Sequence, residues 1–262
     1  MRKIGIIGGE GELGGALIRA LLRNGRCTAG DLMICGRSQK EHLGDGTATT
    51  ASAQKLADMC EVVILAVPPA AFSTLAFQTS GLVISVMAGV TLEQIMHKSG
   101  SRRAVRAMCG PLAVDQDLGF ATWCASAGLT AEDRNRVNQV FVSGGQVAEV
   151  DDEAQIDFFT ALNGPVPGML GLVADMLIRE AMSRGIAGHI AVRAVKAQME
   201  ASGQIMANAD FDIAAYVQGM IRYDGTTAAA FTSLETGGLQ PVLAGAFDAA
   251  ITRATELADF SG

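Results

Sequence analysis

Two short stretches of this sequence hold residue types and spacings that could carry chemistry. Near the start, Gly9-Glu10-Gly11-Glu12-Leu13-Gly14 satisfies a G-x-G-x-x-G spacing. Glycines so spaced permit a tight turn, let backbone approach a pyrophosphate, and let a helix meet the strand before it. A helix opening there presents free N–H groups and the positive end of its dipole to phosphates. Far downstream lies "RYDGTTAAAF", Arg222 to Phe231, with no histidine, cysteine or lysine in it. The whole chain has three histidines, so conventional general acids are scarce. A threonine pair at the mouth of a helix offers hydroxyls as donors or relays and free N–H groups that can grip a carboxylate. The plainer reading is that Asp224 or Thr226 caps the helix.

Elements placed around these stretches predict two domains. "KIGIIGG" is a short apolar β run ending in glycines, and "LGGALIRALLRNG" follows with Leu13, Leu17 and Leu21 at helical spacing. That helix should stop at Asn24-Gly25. "DLMICGRS", "CEVVILAVPP" and "GLVISVMAGV" read as further strands, apolar throughout as in parallel sheets covered on both faces. Capping boxes are expected at Thr91–Gln94 and Thr130–Asp133. Alternating β and α segments predict an α/β fold, a Rossmann dinucleotide-binding domain over residues 1–151. From residue 152 to residue 262 every long segment has helical periodicity, which predicts an all-helical dimerisation and substrate domain.

Composition narrows the function classes. With 49% apolar and 18% charged residues, the chain has more apolar surface than one globule covers, and a subunit interface is expected. A net charge of −7 without a basic stripe argues against nucleic acid and anionic membranes as partners. No window is expected to cross a membrane. The first residues enter a strand at once and leave no room for a signal peptide, so a cytoplasmic protein is expected. The five cysteines (Cys27, Cys35, Cys60, Cys109 and Cys124) have no metal-ligand spacing and read as small buried hydrophobes in a reducing compartment; no metal site is expected.

The end of the second strand selects the cofactor. An NAD site carries an acid there to hold the ribose hydroxyls. Here the chain reads Gly36-Arg37-Ser38. Arginine and serine suit a 2′-phosphate by charge and by hydrogen bonding, which points to NADP(H).

With these motifs in place, the chain resembles the pyrroline-5-carboxylate reductase family over nearly its whole length. Family members carry "ADVVILAVKP", "ISIAAGV", "VTALSGSGPAYVF" and "SPGGTT…LEEGGLR". Beside these stand "CEVVILAVPP", "VISVMAGV", "FTALNGPVPGMLG" and "YDGTTAAAFTSLETGGLQ". The resemblance implies NADP(H) as cofactor, with Gly9, Gly11, Glu12, Leu13, Gly14, Arg37, Ser38, Ala66, Val67, Pro68 and Ala88 around it. It implies a homodimer of interlocked helical domains, with room for higher assembly. It also implies a substrate held by Gly164, Gly225 and Thr226, with Thr227 on the imine nitrogen. Tyr223, beside the loop, is a second candidate proton donor. Departures fall in the pocket segments. Met108-Cys109-Gly110-Pro111-Leu112 stands for the family's "MPNTP", and Gly164-Pro165-Val166-Pro167-Gly168-Met169 for its "GSGPAY".

The activity implied is NADPH-dependent reduction of a cyclic imine, pyrroline-5-carboxylate or a related imino acid. An iminium arrives charged, so the reaction asks little acid strength of the protein, and orientation supplies most of the catalysis. Two rival readings are an NADP-binding regulatory protein without the reaction, and a β-hydroxyacid dehydrogenase. The latter needs a catalytic lysine on an interdomain helix, for which Lys196 is the one lysine beyond Lys98.

Overall fold

The computed structural model describes residues 2–36 and 46–259. Two compact units emerge, Met1–Pro165 with Ala249–Gly262, and Val166–Asp248. The division by compactness thus falls after the expected boundary at residue 151, because the first helix of the helical region lies on the sheet.

The first unit begins with β1 (Arg2–Ile7) and α1 (Glu12–Arg23), followed by a 3-10 turn at Ala29–Asp31. Next come β2 (Leu32–Cys35), β3 (Ala48–Thr50), α2 (Ala53–Met59), β4 (Cys60–Leu65), α3 (Pro69–Phe72), β5 (Leu82–Ser85) and α4 (Leu92–Ser99). It continues with β6 (Ala104–Met108), α5 (Pro111–Asp115), β7 (Gly119–Ala125), α6 (Ala131–Val142), β8 (Gly145–Glu149) and α7 (Glu153–Asn163). The strands form one sheet in the order β3-β2-β1-β4-β5-β6-β7-β8. All neighbours are parallel except β6 and β7. The first six positions reproduce the 3-2-1-4-5-6 order of doubly wound dinucleotide folds, whose chain reverses its winding between β1 and β4.

Both sheet faces are covered, which is why the strands read as unbroken apolar runs. One core joins Ile6, Ile34, Ile64 and Ile84 to Leu17 and Leu21 of α1 and to Trp123 and Phe141. The other joins Ile7, Val63, Leu65 and Val83 to Leu56 of α2, Ile95 of α4 and Ile156 of α7. The helix ends follow the expected chemistry. Asn24 ends α1 and Gly25 turns with φ +62°. The capping boxes at Thr91–Gln94 and Thr130–Asp133 both form.

Buried charge fastens the outer helices. Arg103 makes a paired contact to Asp133 at the start of α6, and this guanidinium with the Thr130 N–H holds the Asp133 carboxyl down at about 2. Arg106, buried on β6, donates from Nη1 to Glu153 Oε1 at 3.3 Å and from Nη2 to Asp157 Oδ1. A buried guanidinium is tolerable only with such partners, so these two carboxylates one turn apart hold α7 on the sheet.

The second unit holds α8 (Val166–Ser183), α9 (Gly188–Met206), α10 (Ile213–Tyr223), α11 (Thr226–Thr236) and the first half of α12 (Leu239–Leu257). No strand occurs beyond residue 151 among the described residues. The sequence "PGMLGLVADML" in α8 leaves Leu170, Leu172, Met176 and Leu177 exposed, and α8 has no buried residue. By length and composition the run Glu153–Ser183 is apolar enough to cross a membrane, with mean hydropathy 1.3. The run is not one continuous face: α7 buries Ile156 and Ala161 in the first unit, and the chain breaks at Gly164-Pro165 before α8.

Candidate active site

The glycine turn sits at the carboxyl end of β1, where sheets of this winding open a crevice for ligands. Its parts differ from their expected roles in one respect. The left-handed residue is Gly8, with φ +89°, and not Gly9. A Cβ on Gly8 would also lie 2.5 Å from the Ala66 carbonyl oxygen, so conformation and space both require glycine there. Gly9 is needed for space alone, because Ile18 and Ile34 would each stand 2.9 Å from a Cβ. The doubled glycine of "IIGGEG" was the available signal for Gly8. Gly11 is the N-cap of α1 and donates to the Gly8 carbonyl at 3.0 Å. A Cβ on Gly14 would lie 2.4 Å from that same oxygen, so helix and turn are in direct contact.

Glu12 and Leu13 open α1, and no side chain caps it. The first backbone bond of α1 runs from the Gly15 N–H to Gly11 at 2.8 Å, so the N–H groups of Glu12, Leu13 and Gly14 precede it, as a pyrophosphate site requires. Ala66 donates to the Ile7 carbonyl at 2.8 Å, which brings Ala66, Val67 and Pro68 beside Gly8. Ala88 follows β5, and the next residue, Gly89, has φ +76°. A Cβ on Gly89 would meet the Ala254 carbonyl at 2.1 Å, so the end of α12 lies against this loop. These residues fit a dinucleotide: the backbone is bare where it must approach phosphate, and the strand ends converge on one edge. Arg37 and Ser38 lie outside the described residues. Glu10 is exposed, and its carboxylate reaches the end of β2, where a Cβ on Gly36 would lie 2.6 Å from Oε2.

At the carboxyl end of β6 lies the departing segment Met108 to Leu112. Cys109 is buried among hydrophobes, and desolvation pushes its thiol up to about 12, so it is no nucleophile at neutral pH. Gly110 is the N-cap of α5. Arg19 of α1 donates to Asp115 at 2.7 Å and fastens α5 to α1. Gly164, the C-cap of α7, is exposed. Sequence reasoning passed over Asn163, whose Nδ2 donates to the Met108 carbonyl at 3.3 Å. It also passed over Glu153, whose Oε1 accepts from the Leu92 N–H at 2.7 Å as well as from Arg106. Asn163 stands where the resembling segment has serine, and that difference was the visible signal.

In the second unit, Tyr223, Gly225, Thr226 and Thr227 form one tight connection. Tyr223 ends α10, and Asp224 is its left-handed C-cap with φ 53°. Gly225 is the N-cap of α11, and no side chain caps that helix. Neither Asp224 nor Thr226 caps α11 with its side chain, whereas Asp224 does end α10 as its left-handed C-cap. The first backbone bond of α11 runs from the Ala229 N–H to Gly225 at 3.1 Å, so the N–H groups of Thr226, Thr227 and Ala228 precede it. Thr227 is half-buried. Tyr223 is 81% exposed, with its ring edge 3.1 Å from where a Gly225 Cβ would stand. Lys196 is exposed on α9. No cluster of metal-ligating residues occurs among the described residues.

A doubly wound sheet with a phosphate turn, followed by a helical unit, defines a dinucleotide-dependent oxidoreductase class. Family models narrow it: residues 153–257 match pyrroline-5-carboxylate reductase dimerisation, and residues 3–89 match NADP oxidoreductase coenzyme F420-dependent. The chain is 27% identical to the pyrroline-5-carboxylate reductase of Corynebacterium melassecola, over 98% of this chain and 99% of that one. The solved pyrroline-5-carboxylate reductase of Coxiella burnetii superposes with a TM-score of 0.85 at 26% identity, covering 98% of this chain and 99% of the other. The Plasmodium falciparum pyrroline carboxylate reductase with NADP bound shares the fold, with a TM-score of 0.81 at 22% identity and 98% coverage of both chains. Over nearly its whole length this chain is similar to pyrroline-5-carboxylate reductases.

Proposed function

We propose that the protein reduces a cyclic imine, pyrroline-5-carboxylate or a related imino acid, with NADPH. The observation that carries this is the close-packed turn from Gly8 to Gly14 at the β1–β4 crossover, in a chain that matches reductases of that name along its whole length. The bound cofactor supplies a hydride to the imine carbon. The chain's own part is to bind and orient. Gly9, Gly11, Glu12, Leu13 and Gly14 hold the pyrophosphate by backbone, while Ala66, Val67, Pro68 and Ala88 line the cofactor. The uncapped N–H groups of α11, with Gly225, Thr226 and Gly164, hold the substrate carboxylate. Thr227 orients the imine nitrogen and donates or relays its proton, with Tyr223 as the competing donor. A panel of five- and six-membered imines, with and without a carboxylate, followed at the nicotinamide absorbance, tests this. NADPH binding without turnover of any of them would favour the regulatory reading. Lys196, exposed on α9, gives the β-hydroxyacid dehydrogenase reading no support.

Cofactor choice should rest on Arg37 and Ser38, whose charge and hydrogen bonding suit a 2′-phosphate. NADPH is expected to bind at least about tenfold tighter than NADH, roughly 1.4 kcal/mol, and Arg37→Ala should erase most of that difference. Equal dissociation constants for the two cofactors in the unmutated protein would refute the assignment.

The helical region builds a homodimer. Its support is the row of exposed apolar residues on α8, within the stretch that matches the dimerisation model. Such a patch on a monomer exceeds what water tolerates. Sedimentation at micromolar concentration should give a dimer or a multiple of it, and Met176→Glu with Leu177→Arg should dissociate or unfold it. A stable, well-folded unmutated monomer is the contrary result. A cytoplasmic location belongs to the same reading.

A further inference from the structure

Gly110 has an ordinary conformation, φ −94° and ψ 129°, which any residue can adopt. Its lack of a side chain therefore answers to space. A Cβ there would lie 2.4 Å from the Asn163 backbone carbonyl oxygen, against 3.4–4 Å for ordinary contact. The end of α7 thus touches the chain where it leaves β6. That exit lies at the carboxyl edge of the parallel sheet, in line with Gly8 after β1, Ala66 after β4 and Ala88 after β5. Doubly wound sheets place their ligand along this edge, one mononucleotide half to each side of the crossover. The β4-β5-β6 side is therefore the reacting half of the cofactor's track.

We propose that Gly110 and Asn163 form a spacer that sets the distance between the exit of β6 and the turn at Gly164, and so governs which imine is held productively. This rests on the reductase reading above. The spacer is stiff on most sides. Arg106 holds the start of α7 through Glu153 and Asp157, and Ile156 is fully buried. The Asn163 side chain donates to Met108, tying the helix end to the strand end. The last turn is the softest part, since the Gly164 N–H reaches the Thr160 carbonyl only at 3.3 Å. A side chain at position 110 would push this turn outward by about 1 Å, a misplacement that can cost about 10²-fold in rate. For this reason an asparagine at position 110, as in the resembling "MPNTP", would not restore a lost function here. Asn163 and Gly110 act through position, not by contact with reacting atoms.

The test compares Gly110→Ala, Gly110→Asn and Asn163→Ala with the unmutated protein in four readouts. These are kcat and KM on the best imine of the panel, NADPH affinity by fluorescence, the unfolding temperature, and amide exchange over residues 160–166. Both Gly110 variants should lose about 10²-fold in kcat/KM, with NADPH affinity and unfolding temperature held and exchange near Gly164 faster. Asn163→Ala keeps the carbonyl and loses only the tie to Met108, so its loss should be smaller. Unchanged kcat/KM in Gly110→Ala overturns the spacer. So does a loss matched by equal falls in NADPH affinity and unfolding temperature, which would mark a structural role. If the unmutated protein reduces no imine, the reductase reading fails, and exchange decides alone: unchanged exchange in Gly110→Ala then overturns the spacer.

Discussion

Thr227→Val is expected to lower kcat by about 10²-fold on the best imine, the usual scale for a positioned proton donor. The substitution removes a hydroxyl at nearly constant volume. It should leave the fold intact, because the hydroxyl takes no part in capping: Gly225 is the N-cap of α11 and no side chain caps the helix. Valine and threonine also have similar helix propensities. A fall in kcat with KM unchanged would mean that the hydroxyl acts in the transition state; a rise in KM alone would mean uniform binding. Tyr223→Phe is the paired measurement. The exposed ring lies over Gly225, and phenylalanine keeps that contact while deleting the phenol. If Thr227 is the donor, this second substitution has little effect. If the phenol carries the proton, the order reverses, and if both variants keep full kcat the loop has no catalytic part.

What could be read in advance followed from how local each signal is. Parallel strands buried on both faces show as unbroken apolar runs, so β1, β2, β4 and β5 were legible. The later strands were not. β6 carries the buried Arg106, and its tolerance depends on Glu153 and Asp157 more than 45 residues away in the chain. β8 is partly exposed and begins at a glycine, so it lacks an apolar run. Thr91 and Thr130 announced their helices because a capping box is complete within four residues. The cofactor turn was legible for the same reason, although its left-handed residue is Gly8, one position before the G-x-G-x-x-G spacing begins. Asn163 and Gly110 touch across 53 positions, and nothing in either local sequence reports a contact at that range. The Gly225–Thr227 loop could be assigned by resemblance alone, since a threonine pair after glycine is also an ordinary helix start.

Gly14→Ala is expected to weaken NADPH binding by about 10²-fold, roughly the loss of one or two charge-assisted hydrogen bonds to phosphate. A Cβ at this position would stand 2.4 Å from the Gly8 carbonyl oxygen and 2.9 Å from the Gly9 Cα, both backbone atoms. Backbone cannot swing aside as a side-chain tip does, so α1 must lift from the turn and carry its N–H groups off the pyrophosphate. Global stability should change less than affinity does. Alanine in place of glycine favours a helix by about 1 kcal/mol, which partly offsets the strain of overpacking, about 1–3 kcal/mol. Gly15→Ala is the discriminating control, one residue further along the same helix. There the nearest atom is Arg19 Nη1 at 3.1 Å, the end of a long side chain, and the nearest backbone atom, the Gly9 oxygen, stands at an ordinary 3.6 Å. That variant should bind NADPH as the unmutated protein does and unfold at a slightly higher temperature. Fluorescence titration with NADPH measures both constants directly. Equal weakening in the two variants would mean that the helix N-terminus tolerates no added carbon anywhere, and normal binding in Gly14→Ala would mean that the turn does not hold the phosphates.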